Sequence, residues 1–275
     1  MSQLPPIPPA AQQPMPMTAP LFRGAKHRGQ KLVVLTAYDF SMARLLDEAG
    51  VDCLLVGDSV GMVFQGHPNC LPVTLSEMIY HTRCVARGVK NSLLVADLPF
   101  LTYQVSPRQA VKNAGRLLKA GRAHAVKLEG GERSADTIAA IARADIPVMA
   151  HVGMTPQSVH HFGGFKVQRA EDQLLADALA VEQAGAFAVV LECIPAALAA
   201  KITQTLTIPT IGIGAGSACD GQVLVLHDLL GLFRDFHPRF VKKYANLGTI
   251  ISEAVSRYGQ EVKEGKFPGP EHEYR

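Results

Sequence analysis

Asp58, Asp97 and Glu129 each close a short apolar run, in Leu-Leu-Val-Gly-Asp, Leu-Leu-Val-Ala-Asp and Ala-Val-Lys-Leu-Glu, and Glu192 closes another, Ala-Val-Val-Leu-Glu. A single acid at such a place caps a helix or pairs with a nearby base. Three at equivalent ends of consecutive runs make a cluster. If their carboxylates stand within about 5 Å, each ionised pair repels by about 3 kcal/mol at an effective dielectric of about 20, so the three together cost on the order of 10 kcal/mol. A hard divalent cation removes that repulsion. Mg²⁺ takes one or two carboxylates, keeps several waters and leaves positions for substrate oxygens, which suits it to polarising a carbonyl and holding an enolate.

Other groups share these run ends. Lys127 precedes Glu129 by two residues, so on a strand both point to the same side. A buried lysine there needs an anion. It either pairs with Glu129 or Asp97 or receives a substrate carboxylate, and the second is the favoured reading; a Schiff-base role is open but redundant beside a metal. Glu192 ends an otherwise apolar run, where desolvation raises a carboxyl pKa toward the range of a general base. Its alternative is a salt bridge or cap. His151, in Ala-His-Val-Gly, is either a hydrogen-bonded core histidine or a substrate contact. His160 and His161, in SVHHFGGFKV, have no metal-ligand spacing, and that loop reads as a glycine-hinged lid. Gly-Ile-Gly-Ala-Gly (212–216) could offer N–H groups to a phosphate or simply allow close packing.

One architecture puts run ends at a common mouth. Eight runs rich in Val, Ile and Leu fall at 31–39, 51–59, 92–99, 123–131, 146–154, 186–195, 207–216 and 222–228. Amphipathic stretches lie between them, such as SPRQAVKNAGRLLKAG and AEDQLLADALAVEQAG, each closing on a Gly suited to a left-handed helix C-cap. The runs are nearly continuous in apolar residues, so both sheet faces should be covered. Eight such units in about 220 residues predict an α/β chain folded as a (β/α)8 TIM barrel, whose functional groups sit at the C-terminal strand ends. The link after run seven, SACDG, is too short for a helix and predicts an irregular unit. The residues after run eight read as one or two closing helices.

Two segments follow from composition: a proline-rich N-terminal tail over 1–22, extended because proline fixes φ and removes donors, and one catalytic barrel domain over 23–275. The 275 residues carry a net charge of +3 that is spread rather than clustered, which argues against nucleic acid as a partner and for small molecules. No run approaches the length of a membrane span, and no signal pattern opens the chain. Five scattered cysteines without C-x-x-C spacing read as reduced thiols of a cytoplasmic protein.

In combination, TAYD (36–39), LLVGDSVGMVFQGH (54–67), ADLPF (96–100), VKLEGG (126–131), HVGMTPQS (151–158), FGGFKVQ (162–168), LECIP (191–195) and DGQVLV (220–225) closely resemble the ketopantoate hydroxymethyltransferase family. The resemblance runs from about Thr36 to the C-terminus. It implies a (β/α)8 barrel, Mg²⁺, and a homo-oligomer, in bacterial members a decamer of two pentameric rings. It also implies hydroxymethyl transfer from 5,10-methylenetetrahydrofolate to 3-methyl-2-oxobutanoate, giving 2-dehydropantoate. The metal carboxylates it implies fall on Asp58, Asp97 and Glu129, the keto-acid contacts on Asp58, Ser59, Asp97 and Lys127, and the proton acceptor on Glu192. A related barrel of the phosphoenolpyruvate mutase and isocitrate lyase type is the rival enzyme, separable by folate dependence. A non-catalytic metabolite-binding regulator is the rival outside enzymes, and intact acids at all four positions speak against it.

Overall fold

The computed structural model describes residues 15–233 and 238–274. Eight parallel strands close in sequence order into a barrel: β1 (Leu32–Thr36), β2 (Cys53–Val56), β3 (Leu93–Asp97), β4 (Ala125–Glu129), β5 (Val148–Gly153), β6 (Ala188–Glu192), β7 (Thr210–Ile213) and β8 (Gly221–Leu224), with β8 pairing back onto β1. Every expected run supplies one strand. No helix separates β7 from β8, as the short link requires. The fold is the expected (β/α)8 barrel.

Period-two alternation divides each strand into two sets of side chains. One set, including Leu54, Val56, Leu94, Ala96, Val126, Leu128, Val189 and Leu191, packs outward against the helical layer. The other fills the barrel: Leu32 and Val34, Cys53 and Leu55, Leu93 and Val95, Ala125, Met149, Ala188 and Val190. Following the inner set upward, four of the eight rows, those of β3 to β6, change from apolar to ionisable at their C-terminal ends: Leu93, Val95, Asp97; Ala125, Lys127, Glu129; Met149, His151; Ala188, Val190, Glu192. The apolar floor is a packed core, and the chemistry stands on top of it.

The helices start and stop on local signals. Thr74 and Glu77 form a reciprocal capping box ahead of the Leu75–Ala86 helix, and Ser106 caps the Pro107–Arg116 helix with Pro107 at its first position. One expected cap differs. Gly121 is not the left-handed residue after that segment; Arg122 is, at φ 65°. Gly121 lies in the closing π turn, where a Cβ would stand 3.2 Å from Thr82. Its missing side chain lets two helices approach.

The expected tail over 1–22 lies outside the described residues up to position 14. Its last part is not extended: Thr18 caps a short helix, Ala19–Gly24, in which Phe22 is fully buried. Phe22 joins the inner cluster from below and meets Phe187, just before β6, edge to face at 5.8 Å. The open bottom of a barrel needs an apolar cover, and that need overrides the run of prolines before it. Phe22→Ala should lower unfolding free energy by about 3–5 kcal/mol, as deletion of a buried aromatic does. Denaturant titration measures it, and a loss below about 1 kcal/mol would deny the ring its role as cover.

Candidate active site

Strand register brings the site together. Asp97 on β3 is the register partner of Lys127 on β4, and Glu129 on β4 that of His151 on β5. Lys127 Nζ lies 2.7 Å from Asp97 Oδ1 and 3.4 Å from His151 Nδ1. A lysine has only donors, so Nδ1 accepts and the ring proton sits on Nε2. That Nε2 lies 3.1 Å from Glu192 Oε2, within reach of a hydrogen bond but without its alignment. His151 therefore stands between Lys127 and Glu192. All six ionisable groups expected at the mouth line one cavity of about 360 Å³, together with Ser59.

Asp58 lies just past β2. Its backbone N–H donates to Asp97 Oδ2 at 3.0 Å, and its Oδ2 accepts from Gln157 Nε2 at 2.8 Å. The backbone N–H of Gln157 donates to Glu129 Oε2 at 3.0 Å. Ser59 Oγ is 2.9 Å from the hydroxyl of Tyr38. The three acids are thus held by protein donors rather than gathered on one point. Among the described residues, no three His, Cys, Asp or Glu side chains form a ready metal cluster. The ion pair of Lys127 with Asp97 is the alternative that the sequence reading disfavoured, and the direct strand register is its reason.

The electrostatics suit a cation, whose charge would replace the protons these buried acids otherwise take up. Burial pushes Asp58 up to about 7, with the Asp97 charge adding to it, and burial followed by the Asp58 charge raises Glu129 well above the usual carboxylate range. Burial opposes the charge on Lys127, yet Asp97, Glu129 and Asp58 outweigh it and raise its pKa. Burial and the neighbouring Lys127 hold His151 neutral. Lys127 thus stands with Asp58, Asp97, Glu129 and Glu192 in a cavity whose lining also includes Asp228 and Arg239. Each acid of the proposed triad has one oxygen tied by an N–H, and Asp58 also meets the Cys70 thiol; among the described residues Glu129 Oε1 is buried without a hydrogen-bond partner and Asp97 Oδ1 meets only the lysine. An all-oxygen donor set of this charge, with oxygens to spare, fits a hard divalent cation.

Glu192 differs from the triad. Burial raises it to about 8, tempered by Lys127. Among the described residues its one ion-pair contact is His151, which leaves its carboxylate able to take a proton. Above it the cavity wall turns apolar, with Met154, Phe165, Val167, Phe233 and Phe240. Phe165 and Val167, from the segment expected to be a lid, line the cavity and follow Gly163 and Gly164, which take φ of 65° and 116°. The glycines after β7 serve packing: a Cβ on Gly214 would meet the Phe240 ring at 2.9 Å and Cys193 Sγ at 3.3 Å.

Gln157 and Tyr103 were not anticipated. Gln157 stood in plain view in Thr-Pro-Gln after β5, but only the fold reveals that this turn crosses to the ends of β2 and β4. Tyr103 has no sequence signal at all.

A model of the family described as ketopantoate hydroxymethyltransferase matches residues 16–270. A 3-methyl-2-oxobutanoate hydroxymethyltransferase of Enterococcus faecalis is 57% identical over 265 residues, covering 95% of this chain and 96% of its own. One from Geobacter metallireducens is 59% identical over 253 residues, covering 90% and 95%. Among solved structures, a phosphonopyruvate hydrolase in complex with oxalate and Mg²⁺ superposes with a TM-score of 0.60 at 16% identity, covering 92% of this chain and 89% of its own. A 2,3-dimethylmalate lyase of the PEP mutase/isocitrate lyase superfamily gives 0.60 at 18%, covering 95% and 90%. At those identities the solved structures share the barrel and no more.

Proposed function

The chain belongs to the ketopantoate hydroxymethyltransferase family, and we propose that it transfers a one-carbon unit from 5,10-methylenetetrahydrofolate to 3-methyl-2-oxobutanoate, giving 2-dehydropantoate and tetrahydrofolate. The observation that carries this reading is one cavity holding an all-oxygen acid triad on its floor and a separate buried acid, Glu192, on its wall. Asp58, Asp97 and Glu129 would hold Mg²⁺, which when bound supplies Lewis acidity toward the keto and carboxylate oxygens of the 2-oxo acid. Lys127, which keeps further N–H donors beside its Asp97 pair, and Ser59 would meet the substrate carboxylate, and His151, 3.1 Å from Glu192, is placed to touch the substrate between them. Glu192 takes the proton from C3. Water breaks the two methylene–nitrogen bonds of the folate, so tetrahydrofolate leaves and the one-carbon unit stands at the formaldehyde level. The carbon nucleophile attacks it, the new C–C bond forms as the C=O π bond breaks, and the oxygen takes up the proton removed from C3 to become the hydroxyl. The apolar wall over Glu192 offers a flat cosubstrate a surface to stack on.

Several features support the setting. The five cysteines are all free, in keeping with a cytoplasmic enzyme. No helix among the described residues is long and apolar enough to cross a membrane. The Leu247–Lys263 helix buries none of its residues and exposes Ile250, Ile251, Val255, Tyr258 and Val262, an apolar face in keeping with a homo-oligomer, the decamer of the family resemblance.

Loss of the C3 hydrogen of 3-methyl-2-oxobutanoate to deuterated solvent, followed by NMR with and without Mg²⁺, tests the proton step; consumption of the folate tests the transfer. Exchange that needs the metal, with turnover that needs folate, is expected. A barrel of the PEP mutase or isocitrate lyase type would turn over without folate, and that result would overturn the assignment.

Glu192 also sets a pH dependence. A base raised to about 8 is mostly protonated at neutrality, and the groups facing it are Lys127, which lowers its pKa, and neutral His151. The rate of exchange at low substrate should therefore climb about tenfold per pH unit below neutrality and level off near its pKa. A flat profile would remove Glu192 from the role of base.

A further inference from the structure

Gln157 is the residue through which two of the three triad acids are held. It is 6% exposed, and all four hydrogen-bonding positions of its amide are used. Nε2 donates to Asp58 Oδ2 at 2.8 Å and to the carbonyl of Leu98 at 3.0 Å. Oε1 accepts from the hydroxyl of Tyr103 at 2.8 Å and from Gln104 Nε2 at 3.1 Å. A flipped amide would set oxygen against two acceptors, so the orientation is fixed by its partners. Its own N–H holds Glu129 Oε2. The turn carrying it is short and locked: Pro156 opens a 3-10 helix, Pro156–Ser158, and the Ser158 N–H returns to the carbonyl of Thr155 at 2.8 Å.

We propose that Gln157 is a positioning residue for the divalent cation, an inference that rests on the metal-dependent reading above. It fixes one oxygen each of Asp58 and Glu129; Glu129 Oε1 is left without a partner among the described residues, and Asp58 meets only the weak thiol donor of Cys70 besides. A neutral amide suits this task better than a cationic donor would. Lys or Arg could hold the Asp58 oxygen but would neutralise it and compete with the metal, whereas an amide orients the carboxylate and leaves its charge intact; the Glu129 oxygen rests on the backbone N–H. Tyr103 completes the arrangement, because its hydroxyl donates to Gln157 and accepts the N–H of Glu129 at 3.2 Å. Residues from the loops after β2, β3 and β5 and from β4 thereby act as one frame.

The test is titration of the full-length protein with Mn²⁺ alone, reading the free ion by electron paramagnetic resonance. Gln157→Met keeps the side chain's length without its hydrogen bonds and should weaken Mn²⁺ binding about 10–100-fold. Tyr103→Phe removes one hydroxyl and should weaken it about three- to tenfold, which keeps the proposal testable should the first variant not fold. In exchange assays with 3-methyl-2-oxobutanoate, the Mg²⁺ concentration for half-maximal rate should rise in parallel while the rate at saturating metal stays within about threefold. Both variants binding Mn²⁺ like the parent protein would overturn the role of Gln157 and leave the proposed reaction standing. A parent protein that binds no Mn²⁺ would overturn both.

Discussion

Glu192→Gln is expected to slow exchange of the C3 hydrogen by about 10²–10⁴-fold, the contribution of a well-placed general base, while changing the dissociation constant of 3-methyl-2-oxobutanoate only a few-fold. Glutamine matches the shape of glutamate but has no lone pair basic enough to take the proton. The groups assigned to binding, Asp58, Ser59, Asp97 and Lys127, lie on β2, β3 and β4 or just beyond, whereas Glu192 ends β6 on the far side of His151. Neither His151 nor Lys127 can stand in. His151 keeps its proton on Nε2, the nitrogen that faces Glu192, and turns Nδ1 to Lys127. Lys127 is committed to Asp97 at 2.7 Å. Loss in the turnover number with preserved binding is the signature of a group that acts in the transition state. Solvent exchange followed by NMR, with calorimetry for binding, separates the two. Normal exchange in this variant would assign the proton to another base.

These expectations lean on features of unequal legibility. The strands carrying Asp97, Lys127, Glu129, His151 and Glu192 could be read directly, because a parallel strand covered on both faces is a continuous apolar run, and its last polar residue has one place to go. Asp58 was readable for the same reason, although it lies past the end of β2. What the runs could not tell was which group meets which. The pairing of Lys127 with Asp97 is set by the β3–β4 register, and a one-residue slip would separate them. Gln157 escaped because amides are common in turns, and its significance comes from residues 28 and 99 positions away in the chain. Phe22 escaped for a related reason. A proline-rich stretch reads as unstructured until an open barrel end is there to be covered.

Asp97→Asn has a double effect that tests how the acid triad and its lysine share one charge. Asparagine retains the shape and can still accept the N–H of Asp58 through its amide oxygen, so the loop after β2 should keep its place. The charge is gone, however. Lys127 loses its nearest counter-ion, and breaking a buried pair from one side costs about 3–5 kcal/mol. The lower end of that range is expected, because Glu129 and Asp58 also support the ammonium. Mn²⁺ affinity should fall at least about 10²-fold, beyond what loss of an outer partner produces, and metal-dependent exchange should fall with it. A purely structural Asp97 would give the first effect without the second. Asp97→Asn combined with Lys127→Met separates them further: removing both charges of a buried pair restores most of the lost stability, while a metal site missing a ligand stays weak. Thermal unfolding and Mn²⁺ titration on the two single variants and the double variant complete the cycle. If the double variant regains metal affinity along with stability, Asp97 serves the lysine and not the ion, and the metal must rest on Asp58 and Glu129 alone.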